Sequence, residues 1–300
     1  MKNLFEELVA SCRGAVLKDE PMALHTTFRI GGPADIFFAP RGIEDLKKAL
    51  ELLGLSKTPV TVIGKGSNLL VSDAGIRGAV IALAGNFGTV EIKGSRVFAL
   101  AGVLMNDLIK LCCEKGLGGL EGLAGIPSAL GGALSMNMSS KENSISDHVI
   151  SVSVMDAGGG LVSVIKKDCG FAYRTSGLGR DGGIIVSAEL ELAAGEAKAL
   201  LTERENVLKQ KSASQPVGYP SAGCIFKNPP SGPAGKLIEK AGLKGSMIGD
   251  AMVSDVHANY IVNRGAAKAS DVMLLIERIR DAVEKKFGVR LELEVKTPGF

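Results

Sequence analysis

The sequence has 300 residues, 46% of them apolar, a formal net charge of +3 and five cysteines. That length exceeds the usual size of one compact domain and predicts two or three. A charge so near zero, with Lys and Arg interspersed among acids, argues against a nucleic-acid binder and leaves room for small anionic ligands.

From the N-terminus, Leu4, Phe5, Leu8, Val9 and Cys12 lie at helical spacing, and Glu6 and Glu7 interrupt the apolar run a signal peptide needs. No segment approaches membrane-spanning length. The cysteines form no C-x-x-C pair and are odd in number, so they read as reduced, cytoplasmic thiols. No metal site and no obligate protein partner is expected. Strand formers gather at Val60 to Ile63, Ala79 to Leu83, Arg96 to Ala99 and Val149 to Met155, separated by Gly-rich turns, which gives an α+β pattern.

The 39 glycines are well above the usual ~7% and imply tight turns and close backbone approaches. Gly64-Lys65-Gly66-Ser67-Asn68 follows a strand and can turn consecutive N–H groups toward one anion, with a plain tight turn as the competing reading. It is neither a dinucleotide-fold fingerprint nor a Walker loop. A second cluster, Gly116 to Gly132, runs through Ile126-Pro127-Ser128 into a short helix expected to reach Asn137, with Ser128 a candidate cap. Near Ala194 the texture changes, and Ala197, Leu200, Leu201 and Leu208 form one face of a polar helix running into the turn formers Gln215 to Ser221. A domain boundary is therefore expected there, between residues 1–194 and 195–300. Farther on, Ser270 is expected to cap a helix lined by Val272, Leu275, Ile276, Ile279, Val283 and Phe287, with Gly288 as its stop. Val289, Leu291, Leu293 and Val295 then alternate with charged residues, the pattern of a half-buried strand with Glu292 and Glu294 on its polar face.

Six ordered blocks carry a resemblance: Thr26 to Asp35, Gly64 to Leu70, Gly119 to Pro127, Phe171 to Ser176, Ala222 to Pro229, and Leu291 to Val295. Together they make the chain similar to the UDP-N-acetylenolpyruvoylglucosamine reductase (MurB) family, in its shorter type II-like form. The resemblance implies a two-part FAD-binding domain of the vanillyl-alcohol oxidase/p-cresol methylhydroxylase type, with subdomains at about 1–56 and 57–194, followed by a smaller α+β substrate-binding domain. It implies non-covalent FAD, since the first loop has Lys65, Ser67 and Asn68 where some relatives of that fold carry a flavin-linked histidine. It also implies NADPH as hydride donor and a UDP-sugar substrate, UDP-N-acetylglucosamine enolpyruvate, reduced to UDP-N-acetylmuramate for peptidoglycan.

By the same resemblance the catalytic residues are Arg174 toward the substrate carboxylate, Glu294 toward the enolic intermediate, and Cys224 as proton donor where the family usually has serine. A thiol suits that role because it is a stronger acid than a hydroxyl yet mostly protonated at neutral pH. The flavin contacts fall on Arg29, Gly32, Gly64, Lys65, Gly66, Ser67, Asn68, Gly125, Ile126, Ser128, Gly131 and Gly132. The substrate contacts fall on Tyr173, Lys227, Asn228, His257 and Asn259. Two departures, Ser128 for glycine and Asn137 to Lys141 for the family's Asn-Ala-Gly-Ala-Tyr-Gly, touch the flavin end. They also motivate a competing reading as a flavin-binding paralogue without catalysis; an oxidase on the same fold is a third.

Overall fold

The computed structural model describes residues 2–85, 87–140, 143–179 and 182–300. Lys141, the last residue of the departure just noted, lies outside them. The chain forms two compact units that are interleaved in sequence: residues 1–18, 36–65 and 78–210 in the first, and 19–35, 66–77 and 211–300 in the second. Each has its own buried apolar core. The chain passes from one unit to the other inside the strands Ala15–Pro21, Pro33–Ala39 and Ile76–Ala82, inside the first glycine loop, and inside the helix Ala197–Ser214. Those three strands, with Val60–Ile63 paired parallel to Ile76–Ala82, make a four-stranded sheet.

In the first unit the main sheet is antiparallel, in the order Val90–Lys93, Arg96–Leu100, Ile184–Glu191, Val149–Met155, Leu161–Ile165. Helices Ile43–Leu55 and Met105–Glu114 turn Leu46, Ala49, Leu50 and Leu53, and Leu108, Ile109, Cys112 and Cys113, into the core at the spacing of one helical face. The second glycine cluster folds differently from its sequence reading. Met105 N–H donates to the Ser128 carbonyl and Leu130 N–H to the Val103 carbonyl, which holds Ala129 extended in a bridge to Leu104. The helix therefore starts at Leu130 and ends at Ser135, and Ser128 does not cap it; its hydroxyl donates to the Ala129 carbonyl at 2.9 Å.

In the second unit a four-stranded antiparallel sheet runs Ser221–Cys224, Tyr260–Asn263, Ala251–Val253, Met247–Ile248. Helix Ala269–Phe287 buries Val272, Leu275, Ile276, Ile279 and Val283, the stripe its sequence spacing predicts. Gly288 ends it in the left-handed region at φ 68°, its N–H donating to the Glu284 carbonyl. The expected cap is corrected, because the acceptor is Asp73, which takes the N–H of Ala269 at 2.7 Å and of Ser270 at 2.9 Å. Burial pushes the Asp73 carboxyl up, but the hydrogen bonds from Ser270 and Ala269 and the charge of Lys268 together outweigh it and hold the group below the usual carboxylate range.

The segment expected as a regular strand after Gly288 is only bridged, by Phe226 with Leu293 and by Leu69 with Lys296. The N–H groups of Glu294 and Val295 both approach the Ile225 carbonyl, at 2.8 and 3.4 Å, and this shared acceptor breaks the two-residue alternation. Glu292 is thus exposed while Glu294, expected on the same face, is half-buried.

Candidate active site

In the second unit, three short stretches converge on the residues expected to do chemistry. Strand Ser221–Cys224 pairs with Tyr260–Asn263, and its register slips between Ser221 and Cys224. The slip is made by Gly223 at φ 77°, a conformation that suits glycine, with open space where a side chain would be. Cys224 is half-buried next to it. Beyond Cys224 the chain is held by Asn259, which is 3% exposed; its Oδ1 accepts the Phe226 N–H at 3.0 Å and its Nδ2 donates to the Phe226 carbonyl at 2.8 Å. Asn259, a residue expected at the substrate, thus clamps the backbone beside Cys224. The Glu294 N–H then hangs on Ile225, one residue beyond Cys224.

The third stretch is the second half of the first glycine loop. Lys296 N–H donates to the Asn68 carbonyl, Leu70 N–H to the Lys296 carbonyl and Ser72 N–H to the Pro298 carbonyl, a parallel ladder against the chain that bears Glu294. Asn68 Nδ2 donates to the Glu294 carbonyl at 3.0 Å. By contrast, among the described residues no acceptor faces the N–H groups of Gly66, Ser67 or Asn68. Consecutive unsatisfied donors of this kind are the material of an anion-binding nest.

Glycine at position 66 has a separate cause. It sits at φ 64°, and a Cβ there would lie 2.0 Å from the His25 carbonyl oxygen. Gly32 is similar, since a Cβ would meet the Asp73 carbonyl oxygen at 2.1 Å. Both glycines serve backbone packing. Arg29 is exposed, with φ 54°.

The remaining substrate candidates of this unit are partly engaged. Lys227 Nζ approaches Glu292 Oε2 at 3.4 Å on the surface, and Asn228 Oδ1 accepts the N–H of Ala234, the first residue of helix Ala234–Lys240. His257 packs edge-on against Tyr260 with ring centroids 5.0 Å apart, its Nδ1 accepts the Asn259 N–H, and burial lowers its pKa, which favours the neutral ring.

In the first unit, Arg174 lies in a turn closed by the Ala172–Thr175 bridge, at φ 56°. Its Nη1 donates to Ser139 Oγ at 3.0 Å and to the Ser139 carbonyl at 3.3 Å, and its guanidinium lies 5.5 Å from the centroid of the exposed Tyr173 ring. Asn137 Nδ2 donates to the Ala172 carbonyl, fixing the turn from below, while its buried Oδ1 has no partner among the described residues. Gly64 faces the second glycine cluster, where a Cβ would lie 3.3 Å from the Ala129 Cβ and 4.0 Å from the Gly132 nitrogen. Gly131 allows contact with Ala101, and Gly125 donates to Asn106 Oδ1 at 2.7 Å. Lys65 is exposed; Ile126 and Ser128 are half-buried.

Comparison with known proteins decides the family. An FAD-binding domain model matches residues 34–164, and a model of the UDP-N-acetylenolpyruvoylglucosamine reductase C-terminal domain matches 215–297. The reductase of that name from Moorella thermoacetica is 42% identical over 293 residues, covering 98% of this chain and 96% of its own. The chain belongs to the UDP-N-acetylenolpyruvoylglucosamine reductase family. The crystal structure of MurB from Thermus caldophilus superposes with a TM-score of 0.82 at 37% identity, over 95% of this chain and 99% of that one. An alkyldihydroxyacetonephosphate synthase, at 20% identity and a TM-score of 0.50 over 65% of this chain and 40% of its own, shares the fold alone. The architecture is thus an FAD-binding domain of the vanillyl-alcohol oxidase/p-cresol methylhydroxylase type with a smaller α+β C-terminal domain.

The residues present fit FAD in this family member. The unsatisfied N–H groups of residues 66 to 68 match the chemistry of a pyrophosphate, and none of the side chains in Gly64 to Asn68 is a histidine that could link a flavin covalently. Among the described residues no helix is long and apolar enough to cross a membrane. Sequence reading gave no role to Ser139 under Arg174, although it singled out the Asn137 to Lys141 stretch, and it missed Asp73 at the start of helix Ala269–Phe287. Asp73 stands 196 and 197 positions before its partners, so no local pattern could mark it.

Proposed function

We infer that this chain catalyses the NADPH-dependent, FAD-mediated reduction of UDP-N-acetylglucosamine enolpyruvate to UDP-N-acetylmuramate in peptidoglycan synthesis. Family membership over the whole chain carries the reading. When bound and reduced, the flavin supplies a hydride to the enolpyruvyl double bond. The chain then has to hold the carboxylate, stabilise the charge that develops on it, and deliver one proton.

Arg174 is assigned to the carboxylate. Ser139 and Tyr173 support its guanidinium, and a guanidinium fork strengthens its hold as negative charge accumulates on the enolate. Cys224 is assigned as proton donor, and the glycine slip that leaves space beside it supports this role. Glu294, one backbone hydrogen bond from Ile225, is assigned to the enolic intermediate. The N–H groups of Gly66, Ser67 and Asn68 are assigned to the flavin pyrophosphate, with Gly64, Lys65, Gly125, Ile126, Ser128, Gly131 and Gly132 beside it. Tyr173, Lys227, Asn228 and His257 are assigned to the UDP-sugar. Residues 1–194 are placed as the flavin-binding portion and 195–300 as the substrate-binding portion, in keeping with the two family models. A UDP-sugar substrate and five free thiols accord with a reducing cytoplasm.

The test is anaerobic. Reduction by NADPH should bleach the flavin, and UDP-N-acetylglucosamine enolpyruvate should restore its absorbance in one turnover. Flavin that stays reduced after the substrate is added would overturn the assignment.

A further inference from the structure

The carbonyl of Glu294 is the acceptor of the Asn68 side chain. The same Asn68 carries one of the unsatisfied N–H groups and gives its carbonyl to Lys296, so one residue joins the anion site to the chain that leaves the glutamate. The ladder continues through Leu70 and Ser72, and Asp73 then closes it on the N-terminus of helix Ala269–Phe287. The Glu294 segment is no regular strand; on its other side it meets Phe226 through a bridge and Ile225 through a shared acceptor, and the Glu292 carbonyl accepts the Lys227 N–H at 2.9 Å.

We propose that Asn68 is a positioning residue for Glu294, which makes occupation of the pyrophosphate nest and placement of the glutamate one event. This rests on the assignment of Glu294 to the reaction. An anion in the nest takes up the N–H groups of residues 66 to 68 and fixes the peptide plane that leads into Asn68, while the Lys296 N–H holds the plane that leaves it. The Asn68 amide then has one direction, toward the Glu294 carbonyl, and the ladder to Lys296 gains the same rigidity. In the apoprotein, residues 66 to 72 and 294 to 298 should open together, because each supplies the other's hydrogen bonds.

Hydrogen exchange of the full chain tests the coupling without catalysis. Adding FAD to wild-type apoprotein should slow exchange at the amides of Glu294 and Lys296 at least tenfold, and in Asn68→Ala that protection should fall by about fivefold to tenfold, the equivalent of one lost hydrogen bond. Stopped-flow kinetics at saturating FAD supply the second readout. Asn68→Ala should lower the limiting rate of reoxidation by the enolpyruvyl substrate about fivefold to tenfold, with the half-saturating substrate concentration unchanged. A merely structural role would lower thermal stability and affect reduction and reoxidation alike. Wild-type amides at 294 and 296 that do not respond to FAD would overturn the inference, as would an Asn68→Ala enzyme that reoxidises at the wild-type limiting rate. Glu294→Gln is run beside it. If that variant reoxidises normally, the assignment of Glu294 fails and takes the kinetic claim with it; if it is slow while Asn68→Ala is not, the inference alone fails.

Discussion

Gly64 and Gly66 stand two residues apart in one motif, and the structure gives them different reasons to be glycine. At Gly66 the reason is the protein's own backbone, since φ is positive and the His25 carbonyl occupies the place of a side chain. At Gly64 no positive φ is imposed, and an added methyl would meet the Ala129 Cβ at 3.3 Å and the Gly132 nitrogen at 4.0 Å. A glycine-rich loop is therefore not uniformly a ligand cradle. Some of its glycines close the fold and others leave room, and only the neighbours of each tell which. The same contrast separates Asn259 and Asp73, whose polar atoms are committed to backbone N–H and carbonyl groups, from the open space beside Cys224.

The contrast is sharpest in Gly66→Val. A β-branched residue in the left-handed region combined with a 2.0 Å backbone overlap should cost more than about 4 kcal/mol. The apoprotein, with no flavin present, should fail to show a cooperative thermal transition at the wild-type temperature. A folded, colourless Gly66→Val protein of wild-type stability would move Gly66 into the group that only serves the ligand.

Cys224 gives the next largest effect, in kinetics and not in stability. As a proton donor, Cys224→Ala should slow reoxidation by on the order of 10²- to 10⁴-fold, whereas Cys224→Ser keeps most of the rate. Iodoacetamide should inactivate the enzyme through this thiol, with protection by substrate. Burial pushes the Cys12 and Cys113 thiols up to about 11 and Cys112 to about 12, so they contribute little thiolate at neutral pH. Full activity after alkylation mapped to Cys224 would exclude it as the donor.

Arg174→Ala should leave reduction by NADPH within about twofold while slowing reoxidation on the order of a hundredfold, as expected for the loss of a charge-assisted contact to the developing enolate. Equal losses in both half-reactions would show that the Tyr173–Ser176 turn has been disturbed instead. Gly64→Ala is milder still: a methyl against the Ala129 Cβ should change stability by less than about 1 kcal/mol, yet weaken flavin affinity about tenfold by narrowing the space toward Gly132. Fluorescence titration of apoprotein with FAD measures it, and unchanged affinity would take Gly64 out of the cradle.

The smallest effect belongs to Asp73→Ala, which removes a helix cap worth about 1 kcal/mol at pH 7. The Asp73 carboxyl is held below its usual range in the folded state, so its contribution is complete above the unfolded value near ~4 and is lost as pH falls through the lower folded value. Wild type and variant should therefore differ in thermal denaturation at pH 7 and converge in strong acid. A difference that persists undiminished there would show that packing, and not the carboxylate, sets the cost.

Sequence alone determined what depends on neighbours within a turn or two of the chain. The apolar stripe of helix Ala269–Phe287 and its stop at Gly288, the strand Val149–Met155, and the ordered motif blocks that mark the family were all legible, because periodicity and turn chemistry are local. What the sequence could not carry were hydrogen bonds that join residues far apart in the chain. The cap on that helix comes from Asp73, 196 residues earlier; the helix after Ser128 starts only at Leu130 because Met105 bonds the Ser128 carbonyl and Val103 the Leu130 N–H; and the alternation expected around Glu294 fails because two N–H groups share the Ile225 carbonyl. The Asn68 amide reaches 226 residues along the chain to Glu294. Backbone donors and acceptors look alike in every residue, so their long-range partners leave no mark in composition or spacing, and only the folded chain selects them.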